Sequence, residues 1–219
     1  MTKNLTAEGR LLLAASVVAA IAYYAFRQSE LALPIEIALK GAGVALLAAY
    51  AWLRSARLIA VVLALGALGD MLIELKLEWG AMAFLVGHLV AIFLYLCHRR
   101  DKLGISQKAA AISLAILTPV IAVSLLADPT QRAGVGVYSL ALGTMAASAW
   151  ISSFPRYRTG LGAVLFVASD LLIFARLGPL SASILPSLLI WPLYFAGQFL
   201  ICIGVVGSAV VQPEHAPAR

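Results

Sequence analysis

Residues 58–75 read Leu-Ile-Ala-Val-Val-Leu-Ala-Leu-Gly-Ala-Leu-Gly-Asp-Met-Leu-Ile-Glu-Leu. No charge interrupts the run between Arg57 and Asp70. It does not alternate apolar and polar positions as a barrel strand does. Its length approaches the ~20 apolar residues that carry a helix across a bilayer. Seven further runs of this kind lie at 11–26, 33–53, 79–97, 108–126, 134–151, 159–177 and 187–210. Pro119 and Pro192 fall inside spans, where neighbouring groups can satisfy the carbonyl that a proline frees. The expectation is an all-α membrane protein of eight transmembrane helices, with 1–219 as a single transmembrane domain.

Composition agrees. The chain has 219 residues, 63% hydrophobic and 12% charged, with a mean hydropathy of +0.98. Soluble domains run near ~25% charged. Disorder, which needs low hydrophobicity, is excluded. So is a soluble globule, because 16 basic and 10 acidic side chains cannot cover this much apolar surface. The net charge of +6 sits in short connections between spans, which points to membrane topology and not to nucleic acid. Lys3, Arg10, Arg54, Arg57, Arg99, Arg100, Lys102, Lys108, Arg156, Arg158 and Arg219 belong to the termini and even-numbered loops. Only Arg27, Lys76, Arg132 and Arg176 belong to odd-numbered loops. The positive-inside bias therefore puts both termini in the cytoplasm. Cys97 and Cys202 form no pair signature or metal spacing. The first run, behind Lys3 and Arg10, has the look of a signal peptide but is long for one, and reads as an uncleaved first span. No P-loop, dinucleotide-binding glycine pattern or nucleophile elbow is present.

An internal echo runs through the chain. Span three holds Gly69-Asp70-Met71-Leu72-Ile73 and span seven Ser169-Asp170-Leu171-Leu172-Ile173, each Asp followed six residues on by a base, Lys76 or Arg176. Span four holds Gly87-His88-Leu89 and span eight Gly197-Gln198-Phe199. The echo suggests two parallel four-helix halves, 1–103 and 104–219, related about an axis along the membrane normal.

An ionisable group at bilayer depth costs about 2.5–3.5 kcal/mol on insertion scales. At ~1.5 Å per residue, Asp70, Asp170, Lys40, His88 and Gln198 all lie roughly 17–21 Å from the expected cytoplasmic ends of their helices, taken at Arg57, Arg158, Arg54, Arg99 and Gln212. Snorkelling residues would gather at the interfaces. Five polar groups of five helices in one layer point instead to a shared polar cavity. Plainer readings stand beside this one. The two Asp residues could be structural, neutral or paired with Lys40, and Lys40 could be their counter-ion. His88, Tyr194 and Gln198 could serve packing, the interface or helix contact. Glu36 and Glu74 read as near-interface structural residues, Lys76 and Arg176 as snorkelling cations, and His98 and His215 as solvated. The spacing Gly204-x-x-Gly207 allows close helix packing, within or between chains.

On five pieces of sequence the chain resembles the YhhN family of multi-pass membrane proteins, whose animal members are lysoplasmalogenases. They are Lys40 in the second span, Gly69-Asp70 in the third, Phe84-Leu85-Val86-Gly87-His88 in the fourth, Gly162-Ala163-x-x-Phe166-x-x-Ser169-Asp170 in the seventh, and Tyr194-Phe195-Ala196-Gly197-Gln198 in the eighth. Three positions depart from the family's pattern: Gly41-Ala42 replaces the usual Pro-Leu, and Ala91 stands where an aromatic is common. The resemblance implies hydrolysis of the vinyl ether of a lysoplasmalogen, giving a fatty aldehyde and a glycerophospho-ethanolamine or glycerophosphocholine. The bound partner would be a lysophospholipid; the location expected is a bacterial inner (plasma) membrane, and no cofactor or metal is expected.

The residues suit that chemistry. A vinyl ether is activated by proton delivery to carbon, which makes an oxocarbenium ion for water to attack. The reaction needs one neutral carboxylic acid and one carboxylate, and two carboxyls sharing a site of low dielectric tend to that division. Glycosidases divide the work in the same way. Asp70 and Asp170 are the candidate acid and base in either order, with His88 orienting water or relaying the proton. Lys40, Tyr194 and Gln198 are the candidate substrate-binding residues. A proton-coupled transporter is the alternative, since paired intramembrane Asp residues, a Lys and a parallel repeat also suit a carrier. Turnover discriminates them, because a carrier leaves the vinyl ether intact. A zinc hydrolase fits poorly, with one His in the layer and the cysteines away from it.

Overall fold

The computed structural model describes residues 6–209. Lys3, Gln212, His215, Arg219 and the last position of the eighth expected span lie outside the described residues. The eight apolar runs each become a helix: α1 Ala7–Phe26, α2 Leu33–Leu53, α3 Arg57–Ile73, α4 Leu77–Cys97, α5 Ile105–Ser124, α6 Arg132–Ile151, α7 Leu161–Arg176 and α8 Leu185–Ala209. A 3₁₀ turn, Pro129–Gln131, leads into α6, and a π-helical turn, Arg156–Gly160, leads into α7. Seven of these segments are long and apolar enough to cross a membrane. The shortfall against eight is α3, whose 17 residues span about 26 Å at ~1.5 Å each, a little under a ~30 Å hydrocarbon core.

Packing follows chain order in two runs. α1 packs on α2, α2 on α3 and α3 on α4; then α5 packs on α6, α6 on α7 and α7 on α8. Four contacts join the runs: α4 with α6, and α2, α3 and α1 with α8. Six helices, α2, α3, α4, α6, α7 and α8, thus close a ring. α1 lies outside against α2 and α8, and α5 outside against α6 and α7.

Lipid gives no hydrophobic drive between helices, so close approach and buried hydrogen bonds hold the ring. A methyl on Gly162 would sit 2.6 Å from the Gly197 carbonyl oxygen, and one on Gly197 2.7 Å from that of Gly162. Only glycine on both sides lets α7 and α8 meet backbone to backbone. Gly204 is similarly closed by Thr159 of the π-helical turn, so this glycine serves packing within the chain. Pro192 removes the donor for Leu188 O within α8. The hydroxyl of Tyr24 donates to that carbonyl at 3.1 Å, and Trp191 Nε1 donates to Ala20 O at 3.0 Å. These two bonds tie α1, the segment with a signal-peptide look, to α8. Both cysteines are free, Cys97 exposed and Cys202 buried.

Candidate functional site

The polar layer forms in the ring. Asp70, His88, Asp170, Gln198 and Tyr194 are only 2, 3, 4, 3 and 5% exposed. Asp70 lies one turn before the end of α3. The glycine before it makes room for α4, since a methyl on Gly69 would fall 2.7–2.9 Å from the ring of Phe84.

Each carboxyl has a tyrosine. Tyr194 of α8 donates its hydroxyl to Asp70 Oδ2 at 2.8 Å, and Gln198 Nε2 donates to the Tyr194 oxygen at 3.4 Å. Tyr138 of α6 donates to Asp170 Oδ2 at 2.6 Å, and His88 Nε2 meets the same hydroxyl at 3.4 Å. Rings fill the space between the two chains. Phe166 lies 5.1 Å from Tyr194 and 5.2 Å from His88, centroid to centroid, and Phe84 lies 5.8 Å from Tyr194. The two hydrogen-bonded chains therefore flank one aromatic cage.

Beside the cage is a cavity of about 20 Å³, lined in part by Gly66, His88, Tyr95, Phe166 and Gln198. A water needs roughly 10–15 Å³ of such space and several polar partners. Tyr95 is fully buried, and its hydroxyl has no hydrogen-bond partner in the protein. An unpartnered buried hydroxyl is costly, so a water in this cavity would have a donor or acceptor waiting for it. A second, apolar groove of about 350 Å³ runs along the outside of the ring between α5, α6 and α7, from Trp150 to Leu171, the residue after Asp170.

Lys40 is brought to a different partner from the one sequence suggests. It pairs with Glu74, one turn beyond Asp70 on α3, and both are partly exposed. Its ammonium also lies 5.7 Å from the ring centroid of Tyr23. Glu74 is thus the link from the end of α3 to α2. Lys76 and Arg176 are exposed, and Lys76 lies 5.9 Å from the Trp79 ring, as a rim cation would. Glu36 is half-buried. His98 is half-buried, against Leu94 O at 2.9 Å and the Phe154 ring at 4.9 Å, and is less solvated than its position suggests. Among the described residues, no three His, Cys, Asp or Glu side chains converge as metal ligands.

Sequence reasoning missed Tyr138 and Tyr95. A depth signal existed for Tyr138, which lies 13 residues before the end of α6, about 20 Å and hence in the same layer as the Asp residues.

The YhhN family model matches residues 35–205. The chain belongs to the YhhN family. The match takes in Lys40, both Asp residues, His88, Tyr138, Tyr194 and Gln198 and leaves out α1. No curated protein matches the chain, and no solved structure does.

Proposed function

We propose that this YhhN-family protein is a lysoplasmalogenase-like hydrolase that cleaves the vinyl ether of a lysoplasmalogen inside the membrane by Asp-based acid–base catalysis. The observation that carries the reading is the pair of buried carboxyls, each held by a tyrosine hydroxyl, on either side of one aromatic cage with a water-sized cavity.

The polarity of the two chains supports a division of labour. An amide NH₂ only donates, so Gln198 fixes the Tyr194 proton toward Asp70. Asp70 is then an acceptor, suited to remain the carboxylate that faces an oxocarbenium ion. The other chain ends in a histidine, whose Nε2 donates or accepts according to tautomer. That chain can reverse: Asp170 gives its proton to Tyr138 as Tyr138 gives its own to His88, or the opposite. Asp170 is suited to be the acid, with Tyr138 and His88 as its relay.

In the proposed reaction, Asp170 protonates the vinyl carbon remote from oxygen, and the cation forms at the carbon bonded to the ether oxygen. The aromatic cage and Asp70 stabilise it. Water from the cavity beside His88, Tyr95 and Gln198 adds to that carbon and loses a proton to the carboxylate side. The hemiacetal collapses with breakage of the bond from that carbon to the glycerol oxygen, which takes up a proton. The aldehyde leaves, and the second water proton restores the acid. The α5–α7 groove is the proposed berth of the alkenyl chain, reached sideways from lipid. Lys40, with Glu74, is the proposed contact of the phosphate.

The basic ends of the helices support a cytoplasmic location for both termini in a bacterial inner membrane. The matching order of contacts within α1–α4 and α5–α8 supports the two parallel halves, 1–103 and 104–219.

The test is aldehyde release from a lysoplasmalogen by purified protein, beside Asp70→Asn and Asp170→Asn. Turnover by wild type, lost in both folded variants, is the expected result. No aldehyde from folded wild type across headgroups and chain lengths would overturn the proposal.

A further inference from the structure

A second polar site lies at the opposite end of the bundle from the Asp layer, and the hydrolytic reading does not use it. Three connections meet there. Arg99 and Ser152 form an antiparallel bridge, and Ser153 N donates to His98 O at 2.7 Å, so the α4–α5 and α6–α7 connections are clamped together. The α2–α3 turn passes through Ser55 at φ 61°, a left-handed conformation uncommon outside glycine. It places Arg54 and Arg57 on either side of that residue. A pocket of about 590 Å³ opens between the start of α3, the end of α4, the α6–α7 connection and the end of α8. Its polar lining comes from Arg57, His98, Ser153, Arg158 and Ser208.

Among the described residues, no carboxylate pairs with the charges around this pocket. Lys40–Glu74 is the one ion pair among the described residues, so none of Arg54, Arg57, Arg100, Arg156 and Arg158 has a carboxylate partner there. Arg100 and Arg156 are close enough to oppose one another: partial burial and then the charge of Arg156 hold the Arg100 guanidinium below its usual value. Nε of Arg54, and Nε and Nη2 of Arg156, are buried without a hydrogen-bond partner, as is the hydroxyl of Thr159. Arg57 is steadied over the Trp52 ring at 3.9 Å. Topology explains why cations gather at one end of the helices. It does not explain why two of them, Arg57 and Arg158, line one pocket with no carboxylate in its lining.

We propose that this pocket binds the phosphate-bearing headgroup of an anionic membrane lipid, with Arg57 and Arg158 as its charged contacts and His98, Ser153 and Ser208 as hydrogen-bonding partners. Guanidinium groups match phosphate oxygens in geometry as well as charge. Basic pockets between helix ends are the usual form of such sites. The lipid held here is not the substrate in place for cleavage. Arg57 is 13 residues from Asp70 along α3, about 20 Å, while only a few bonds separate the phosphate of a lysolipid from its ether. This site stands whether or not the Asp layer hydrolyses a vinyl ether.

The test uses the full chain, purified in a neutral detergent. Thermal unfolding is followed while a short-chain phosphatidylglycerol, a short-chain phosphatidylcholine or inorganic phosphate is added. Saturable stabilisation by phosphatidylglycerol alone is expected. Arg57→Gln/Arg158→Gln should weaken its apparent affinity at least about tenfold, since each cation near a headgroup is worth about 1 kcal/mol. Lys76→Gln/Arg176→Gln, at the far rim, should leave it unchanged. Native mass spectrometry of the same samples should show a bound phosphatidylglycerol that the first double variant loses, and Ser153→Ala/Ser208→Ala provides a milder variant if the arginine pair does not fold. Equal stabilisation by phosphatidylcholine, an equal effect of inorganic phosphate, or unchanged affinity in the pocket variants would each overturn the proposal.

Discussion

Replacing Tyr138 by Phe removes one oxygen and leaves the ring. The ring keeps its contacts with His88, 5.5 Å between centroids, and Phe174, 6.2 Å. The lost hydroxyl is the donor to Asp170 Oδ2 at 2.6 Å and the neighbour of His88 Nε2 at 3.4 Å. Leaving a buried acceptor without its donor costs about 1–3 kcal/mol of stability. The His88 contact is long and adds less. A protein with that loss still folds, so its rate can be read. If the hydroxyl carries the proton between Asp170 and His88, its removal forfeits acid–base assistance worth roughly 10²–10⁴-fold. The assay is aldehyde release, with Tyr157→Phe as a control at an 82% exposed position. Proton delivery should also become more rate-limiting, so the solvent deuterium isotope effect should rise in the variant, which looser packing alone would not produce. Folded Tyr138→Phe protein with turnover within about twofold of wild type and an unchanged isotope effect would refute the relay.

Four further outcomes are expected. Lys40→Met, which leaves Glu74 unpaired, should cost about 1–3 kcal/mol, between the values for exposed and fully buried pairs because both groups are partly exposed; Lys40→Glu/Glu74→Lys should recover much of this in a thermal melt. Gly69→Ala drives a methyl into the Phe84 ring and should destabilise by about 1–3 kcal/mol, with Phe84→Leu restoring part of the loss. Tyr95→Phe should leave stability near wild type, because the hydroxyl has no protein partner, yet lower turnover by displacing the cavity water; unchanged turnover would remove Tyr95 from the water site. In the α5–α6 connection, the hydroxyl and then the amide of Thr130 hold the Asp128 carboxyl below its usual range. A depressed value means the contact is present above the ordinary carboxylate range and is lost as pH falls through the folded value, so an NMR titration of Asp128 should show a midpoint below that of a free aspartate.

The helices were legible because every apolar run is long and bounded by charge or by Pro and Gly. Asp70 and Asp170 were legible for the opposite reason, being charges where lipid tolerates none. Tyr138 and Tyr95 were not, since a tyrosine in a membrane span is ordinary and its role depends on which helix it faces. The partner of Lys40 was hidden for the same reason: Asp70 and Glu74 share a face of α3, and the α2–α3 approach decides between them. The closed ring was also out of reach, because consecutive α4 and α5 do not pack on one another while α4 packs on α6. The short α3 shows a further limit, where the 18-residue run loses Glu74 and Leu75 to the turn that follows the helix.

The central claim, that a buried carboxylic acid delivers a proton to carbon, has a direct measurement. Wild-type protein is given a lysoplasmalogen in D₂O, and the mass of the released aldehyde is read, with Asp70→Asn and Asp170→Asn in parallel. The account predicts one deuterium, on the carbon next to the aldehyde group, and no aldehyde from either variant. Aldehyde without deuterium, or labelled aldehyde from a variant at the wild-type rate, would contradict it.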